Sequence, residues 1–398
     1  MDSQTTLSSA AVTELREAAI SSPLTLSDPR VRAVVVSLGA ALLGLLVGAL
    51  LIRIGGADPL AAAATVLDAG FSCRPDRCDL LNTLALLPPL GLCALAGVVV
   101  LRSGMFSIGQ EGQYAVGGVA AGWVGYALPL PGVTHLLGAI LAAVLAGALW
   151  ALVPALLKVR FGVNELICSI IFNNIAILLV SYLISFPMRA DRSSQPFTPR
   201  IERSAQLPVF DTASKVGVGV VVVVTATVAV WFLLFRTTWG YEQRMTGEAP
   251  AFGLHSGMAA GPAAVRAMLV SGGIAGLAGA VQVLGVNYRV VDGFADGTGF
   301  NGLTAALLGG LSPVGALVAA FAFAGISTGA VNGLQVQLGI PSELGGTVFA
   351  VMIVLVALRP PVLRRWQEHR RRTTDGTAPP TRPSADAAPV AAPDPSGR

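Results

Sequence analysis

Long stretches without a charged residue dominate the chain, and most are close to the roughly 20 apolar residues that cross a bilayer as a helix. Ala33–Ile52 is the first, and Thr83–Leu101, interrupted by Pro88 and Pro89, is the second. Gln113–Thr134 and His135–Leu157 follow with only a Pro/Gly break between them. Leu166–Met188, Val216–Phe235 and Ala267–Tyr288 come next. Gly297–Ser342 carries no charge over 46 residues, enough for two spans or for one span and a re-entrant segment, and Leu344–Leu358 closes the set. The pattern predicts an all-α fold: a polytopic transmembrane helical bundle of about ten spans, with broken or re-entrant segments.

Composition supports that reading. Hydrophobic residues make up 54% of the chain and charged residues 12%, against about 25% charged in soluble domains. Mean hydropathy is +0.70. The 46 glycines suit helices that approach closely inside a membrane. The net charge of +4 comes from the segment after Leu358, which holds eight Arg and four acidic residues. No aromatic residues interleave with a basic stripe, which argues against a nucleic-acid surface. Three segments follow: a cytoplasmic N-terminal extension at 1–30 with a short helix around Ala11–Ile20, a transmembrane domain at 31–358, and a basic then disordered tail at 359–398. The first 30 residues have no cleavable signal pattern.

Orientation follows from Lys and Arg in short loops. With the N-terminus inside, Arg102, Lys158, Arg160, Arg236, Arg244, Arg266 and the tail face the cytoplasm. Arg74, Arg77, Arg189, Arg192, Arg200, Arg203 and Lys215 face outward. An even number of spans puts both termini in the cytoplasm of a multi-pass inner-membrane protein. Cys73 and Cys78 share an outer loop, where a disulfide and two free thiols are both open readings.

Four segments carry candidate chemistry. Gly104–Gln113 reads GMFSIGQEGQ between two apolar runs, with Gln110, Glu111 and Gln113 as its polar residues. Such residues at membrane depth line a cavity or pair within the bundle. The same stretch also reads as an ordinary turn, with Glu111 opening the next helix. Asn164 and Glu165 suit a helix start. Asn173 and Asn174 lie two to three turns further in, as ligands for hydroxyls and base edges or as glue between helices. Tyr241–Met258 is a long loop of mixed charge that can form a short helix and dock a soluble partner, or simply connect. Val291–Gly302 is a glycine-rich outer loop with Phe300 and Asn301, readable as a gate or as a plain turn. Leu269–Gly285 has small residues every three to four positions, a face for close packing without chemistry. There is no phosphate loop of the G-x-x-x-x-G-K-[ST] type, no H-E-x-x-H and no Cys/His cluster, so neither ATP hydrolysis nor a metal or other cofactor is expected of this chain.

Together these segments resemble the permease family of ABC importers for branched-chain amino acids, simple sugars and nucleosides, most of all the longer permease of the nucleoside/simple-sugar group. Gly104–Gln113 is similar to that group's G-x-F-N-I-G-x-E-G-Q, with Ser107 in place of Asn. Gly162–Glu165, followed by Asn173 and Asn174, is similar to its G-V-N-E segment and Asn-bearing helix. Arg244–Pro250 is similar to its R-A-x-G-E-N-P loop and departs at Met245 and Ala249. Gly297–Pro313 is similar to its late glycine-rich motif. The resemblance implies a transport subunit, not an enzyme, working by alternating access. It would pair with a second permease as a heterodimer, above two ABC ATPase subunits and below a substrate-binding lipoprotein. Gln110, Glu111, Gln113, Asn164, Asn173, Asn174, Phe300 and Asn301 would line or support the substrate path. Tyr241, Arg244, Gly247, Glu248 and Pro250 would couple to the ATPase. The substrate is expected to be a nucleoside, with a simple sugar as the alternative in the family. An ion-driven secondary transporter is the alternative outside it.

Overall fold

The computed structural model describes residues 58–336, apart from 75–76, 192–194 and 212, together with 49, 50 and 53. The extension 1–30, nearly all of Ala33–Ile52, the span Leu344–Leu358 and the tail 359–398 lie outside the described residues.

The described chain is helical. It opens with α1 (Pro59–Phe71), a two-strand hairpin of β1 (Cys73–Arg74) and β2 (Arg77–Cys78), and α2 (Asp79–Arg102). The hairpin pairs Cys73 with Cys78, and the two cysteines are disulfide-bonded. Next come α3 (Gln110–Ala127), α4 (Gly132–Phe161) and α5 (Glu165–Ser185). They are followed by α6 (Val218–Arg236), α7 (Thr238–Glu248) and α8 (Pro250–His255). The last are α9 (Ala260–Val281), α10 (Thr298–Leu308) and α11 (Pro313–Gly329). Helix α9 continues as a π-helical turn to Asn287. Six described helices are long and apolar enough to cross a membrane, and they run Asp79–Arg102, Gly132–Phe161, Glu165–Ser185, Val218–Arg236, Ala260–Asn287 and Pro313–Gly333.

The distribution of side-chain size shows which solvent these helices meet. On α4, Ala139, Ala143, Gly147, Ala151 and Ala155 form the buried stripe, while Leu137, Leu141, Leu145, Leu149 and Val153 are exposed. Both stripes repeat every four residues, the helical period. In water the Leu stripe would turn inward. Here the small residues face protein and the large apolar ones face out, as in a bilayer, where close packing rather than the hydrophobic effect joins helices. The small-residue face expected at Leu269–Gly285 does this work. Ser271, Gly272, Ala275, Gly276, Gly279 and Ala280 are all buried in α9. A Cβ on Gly276 would lie 2.2 Å from the Ala143 carbonyl oxygen on α4, so only glycine permits the approach.

Helix α2 is the hub, buried from Leu87 to Val100 and in contact with α6, α9, α10 and α11. It runs unbroken through Pro88 and Pro89, where the sequence suggests an interruption. Each proline removes one backbone donor, a loss that membrane helices tolerate when neighbours surround them. Further along α2, Ser271 Oγ donates to the Ala96 carbonyl at 2.9 Å.

Two helices begin half-way through the bundle. At 11 residues, α10 is about 16 Å long, half the hydrocarbon thickness. It runs parallel to the second half of α2. Gly302 packs on Cys93, Ala306 on Gly97, and Arg102 Nε donates to the Leu311 carbonyl at 2.8 Å. The constant offset puts Thr298 level with Pro89, near the middle of α2. Within the described residues, the long uncharged stretch after Gly297 is therefore a half-helix followed by the span α11, and a turn at Gly309–Ser312 joins them.

Candidate functional site

The start of α3 meets the start of α10. Glu111 is 1% exposed, and its carboxylate accepts three backbone N–H bonds from the first turn of α10. They come from Gly297 at 2.9 Å, Gly299 at 2.6 Å and Phe300 at 3.2 Å. A helix N-terminus presents unpaired N–H groups and the positive end of the helix dipole, so a carboxylate is its natural partner. The approach is tight: a Cβ on Gly299 would lie 2.4 Å from the Glu111 nitrogen. Tyr114, one turn on, packs on Phe294 at 5.4 Å between ring centroids, with the rings tilted by 39°.

Because α10 begins at mid-depth, α3 does too, and non-helical backbone must reach the junction from both ends. From the Arg102 end, Met105–Gly109 climbs along α5. Ser169 Oγ receives the Ile108 N–H at 3.2 Å, and Asn173 Nδ2 donates to the Ile108 carbonyl at 2.7 Å. Asn173 Oδ1 also receives the Gly112 N–H at 2.9 Å. From the opposite end, the chain after Tyr288 descends along α3, with Val290 against Gly122 and Phe294 against Gly118. Thr198 braces that descent: its N–H donates to the Val290 carbonyl and its Oγ1 accepts the Val290 N–H, both at 3.0 Å. Irregular backbone survives at membrane depth only with such partners.

The structure brings Gln110, Glu111, Gln113, Asn173, Phe300 and Asn301 to this junction. Gln110 and Gln113 are buried, whereas Phe300 is 41% exposed on the free side of α10. Asn173 spends both ends of its carboxamide on backbone, the glue role. Asn174 faces outward and donates to the Ile170 carbonyl at 2.9 Å. Asn164 sits elsewhere. It caps α5, accepting from the Leu166 N–H at 2.9 Å, beside the Lys158–Glu165 ion pair at 2.7 Å. Nine residues separate it from Asn173, about 13 Å along the helix.

A second surface lies at the Arg102 end. The expected short helix is α7, capped by Thr237 Oγ1 accepting the Gly240 N–H at 3.1 Å. Helix α7 lies across the corner between α2 and α3, and Gly247 touches Gly104, whose φ is +78°. Glu248 pairs with Arg102 at 3.3 Å, and Glu242 with Arg266 at 2.6 Å. The guanidinium groups of Arg102 and Arg244 flank the Phe235 ring at 5.2 and 5.1 Å from its centroid. Tyr241 is 46% exposed, Glu248 points to solvent, and Pro250 opens α8. Arg102, Phe235, Ser169 and Thr198 are structural participants that no motif in the sequence marks. A basic residue closing a span is the nearest signal, and it fits Arg102 alone.

Helices that turn leucine outward and glycine inward, two of them starting part-way along the bundle, define a multi-pass membrane protein. Residues 80–357 match the family described as the branched-chain amino acid transport system permease component, and the chain belongs to that family. It is therefore a transport component and not an enzyme, as its motifs lead one to expect. The chain is 35% identical to the guanosine ABC transporter permease protein NupP of Bacillus subtilis over 82% of its length and 94% of the relative's. It is 32% identical to the glucose ABC transporter permease protein TsgB13 of Haloferax volcanii over 67% of its length and 73% of the relative's. It is also 28% identical to a second Bacillus subtilis guanosine permease, NupQ, over 61% of its length and 78% of the relative's. No solved structure matches the chain.

Proposed function

We propose that this chain is the longer permease of a nucleoside ABC importer and that solute passes beside the junction of α3 and α10. The observation that carries the reading is the meeting of two helix starts, part-way along the bundle, around a buried carboxylate. Broken helices at the bilayer midplane place substrate groups against helix ends and unwound backbone. Glu111 occupies the α10 end itself, so the chemistry left to a solute is neutral. Lys and Arg occur in the described spans only toward their ends, at Arg102, Lys158, Arg160, Arg236 and Arg266. A nucleoside or sugar fits such a lining, and a nucleotide, with its phosphates, does not. The likeness to two guanosine permeases favours the nucleoside.

On this reading the α7 end is cytoplasmic and the exposed side of α7 and α8 receives an ATPase subunit. The disulfide at the other end suits an oxidising compartment outside the membrane. A second permease is expected because NupP and NupQ, two guanosine permeases of one organism, both resemble this chain. A substrate-binding lipoprotein would deliver solute at the disulfide end.

The test is uptake of radiolabelled guanosine by cells that lack their own nucleoside uptake and carry this chain with its partner subunits. Guanosine uptake that needs the ATPase subunit is expected. Uptake of glucose without guanosine would move the chain to the sugar branch. Guanosine uptake that persists on ATP depletion and stops with an ionophore would overturn the reading.

A further inference from the structure

The first turn of α3 uses its polar groups with two exceptions. Glu111 holds α10, and the Gly112 N–H is paired with Asn173. Gln110 and Gln113 are each 1% exposed, yet both amide atoms of Gln110 and the Oε1 of Gln113 have no hydrogen-bond partner among the described residues. The two side chains are three apart on one helix and so share a face. A buried carboxamide without partners destabilises the state that contains it, and apolar side chains of similar length would fill the space without that cost. The sequence keeps two such groups together at the mid-depth junction.

Resting on the proposed function, we propose that Gln110 and Gln113 are the specificity-determining pair that reads the base edge of the nucleoside. They would be covered in this state and uncovered when α10 parts from α3. A carboxamide offers a donor and an acceptor side by side, the pattern that glutamine uses on purine edges. Sugar hydroxyls need no such paired register. The closed state leaves the amides unsatisfied and a bound base satisfies them, so substrate favours the open state by interactions absent without it.

The experiment compares the full transporter carrying Gln110→Met or Gln113→Met with wild type. Methionine keeps the length and removes the hydrogen bonds. Four quantities are read: the KM and the maximal rate of guanosine uptake, the preference for guanosine over purine riboside (which lacks the exocyclic groups), and the thermal midpoint of the detergent-solubilised complex. The expected result is a KM for guanosine raised tenfold or more, with the preference over purine riboside narrowed by a similar factor. The maximal rate is expected within about twofold of wild type and the thermal midpoint equal or higher. An unchanged KM and preference in both variants would overturn the proposal. So would failure of both variants to assemble, because it would show that the carboxamides already have partners in the folded chain. Absence of guanosine uptake by wild type is a separate result, which counts against the nucleoside reading itself.

Discussion

Replacing Glu111 with Gln isolates the joint between the starts of α3 and α10. The side chain keeps its size and one acceptor, but loses its charge and turns an NH2 group toward the α10 amides. In the native joint one carboxylate receives N–H groups at 2.9, 2.6 and 3.2 Å in a buried site. Hydrogen bonds to a charged group contribute about 1.5–3 kcal/mol each, and a buried donor left without an acceptor costs about 1–3 kcal/mol. Glu111→Gln retains an acceptor for one N–H and strands at least one of the others, so the loss should be about 3–5 kcal/mol of the joint's stability. Two partly competing states separated by that energy exchange their populations by a factor of about 100 or more. The assay has two parts: the thermal midpoint of the solubilised complex, and guanosine uptake normalised to the amount of chain in the membrane. Uptake should fall at least tenfold and the midpoint by several degrees. Glu111→Asp should not rescue, since one methylene less moves the carboxylate away from donors that need it within 3.2 Å. Wild-type midpoint and uptake in Glu111→Gln would refute the reasoning, because the three bonds could not then be holding α10.

Other perturbations address the surrounding frame. Asn173→Ala leaves the Gly112 N–H and the Ile108 carbonyl unpaired inside the bundle. The expected loss is about 2–4 kcal/mol, read as a lower thermal midpoint and less folded chain, with the KM for solute changed less than twofold. Gly276→Ala places a methyl 2.2 Å from the Ala143 carbonyl oxygen and should prevent α4 and α9 from closing, read as loss of folded complex in the membrane fraction. Gly104→Ala meets both a left-handed backbone and Gly247 Cα at 2.8 Å. It should displace α7, so that ATPase activity persists while uptake falls; parallel loss of both would count against a coupling role for α7.

What the sequence shows is what local chemistry determines. Six of the about ten expected spans are legible among the described residues, because each must satisfy its own backbone in lipid, and the face of α9 is legible because small residues recur at the helical period. Asn164 is legible as a cap because its partners are two and three residues away. The start of α3 at Gln110 is harder to see, since its first turn is polar and apolarity alone places the span from Gln113. The pairing of Glu111 with Gly299 crosses 188 residues of sequence, and nothing local announces it. From its own neighbours Glu111 reads as the acidic first turn of α3, and it is that, but the helix whose N–H groups it accepts is α10. A re-entrant segment beside one span is one of two readings of the 46-residue uncharged stretch, and hydropathy cannot separate it from a second span because half-spans and full spans are equally apolar. The α2 hub shows the opposite error. Two prolines suggest a break, and burial on every side holds the helix through them.

The same geometry gives the proposed coupling a short physical route. Helix α7 touches the membrane domain at Gly104, through Gly247, and at Arg102, through Glu248. From Gly104 the chain runs as non-helical backbone to Gly109 and becomes α3 at Gln110. Six residues therefore separate the α7 contact from the first orphaned carboxamide, and seven separate it from the carboxylate that holds α10. An extended segment of that length transmits a pull along its axis without needing to bend a helix, and its lateral bonds to α5, through Ser169 and Asn173, confine the movement to that axis. The α4 and α9 pair, closed by glycine contacts that admit no slack, supplies the fixed reference against which such a pull acts. Coupling through a contiguous path demands an element with two discrete arrangements. In the proposed cycle the joint at Glu111 would be that element, with its three bonds made in one arrangement and lost in the other. The energetic cost of opening it is then met at the place where Gln110 and Gln113 gain the partners they lack when it is closed.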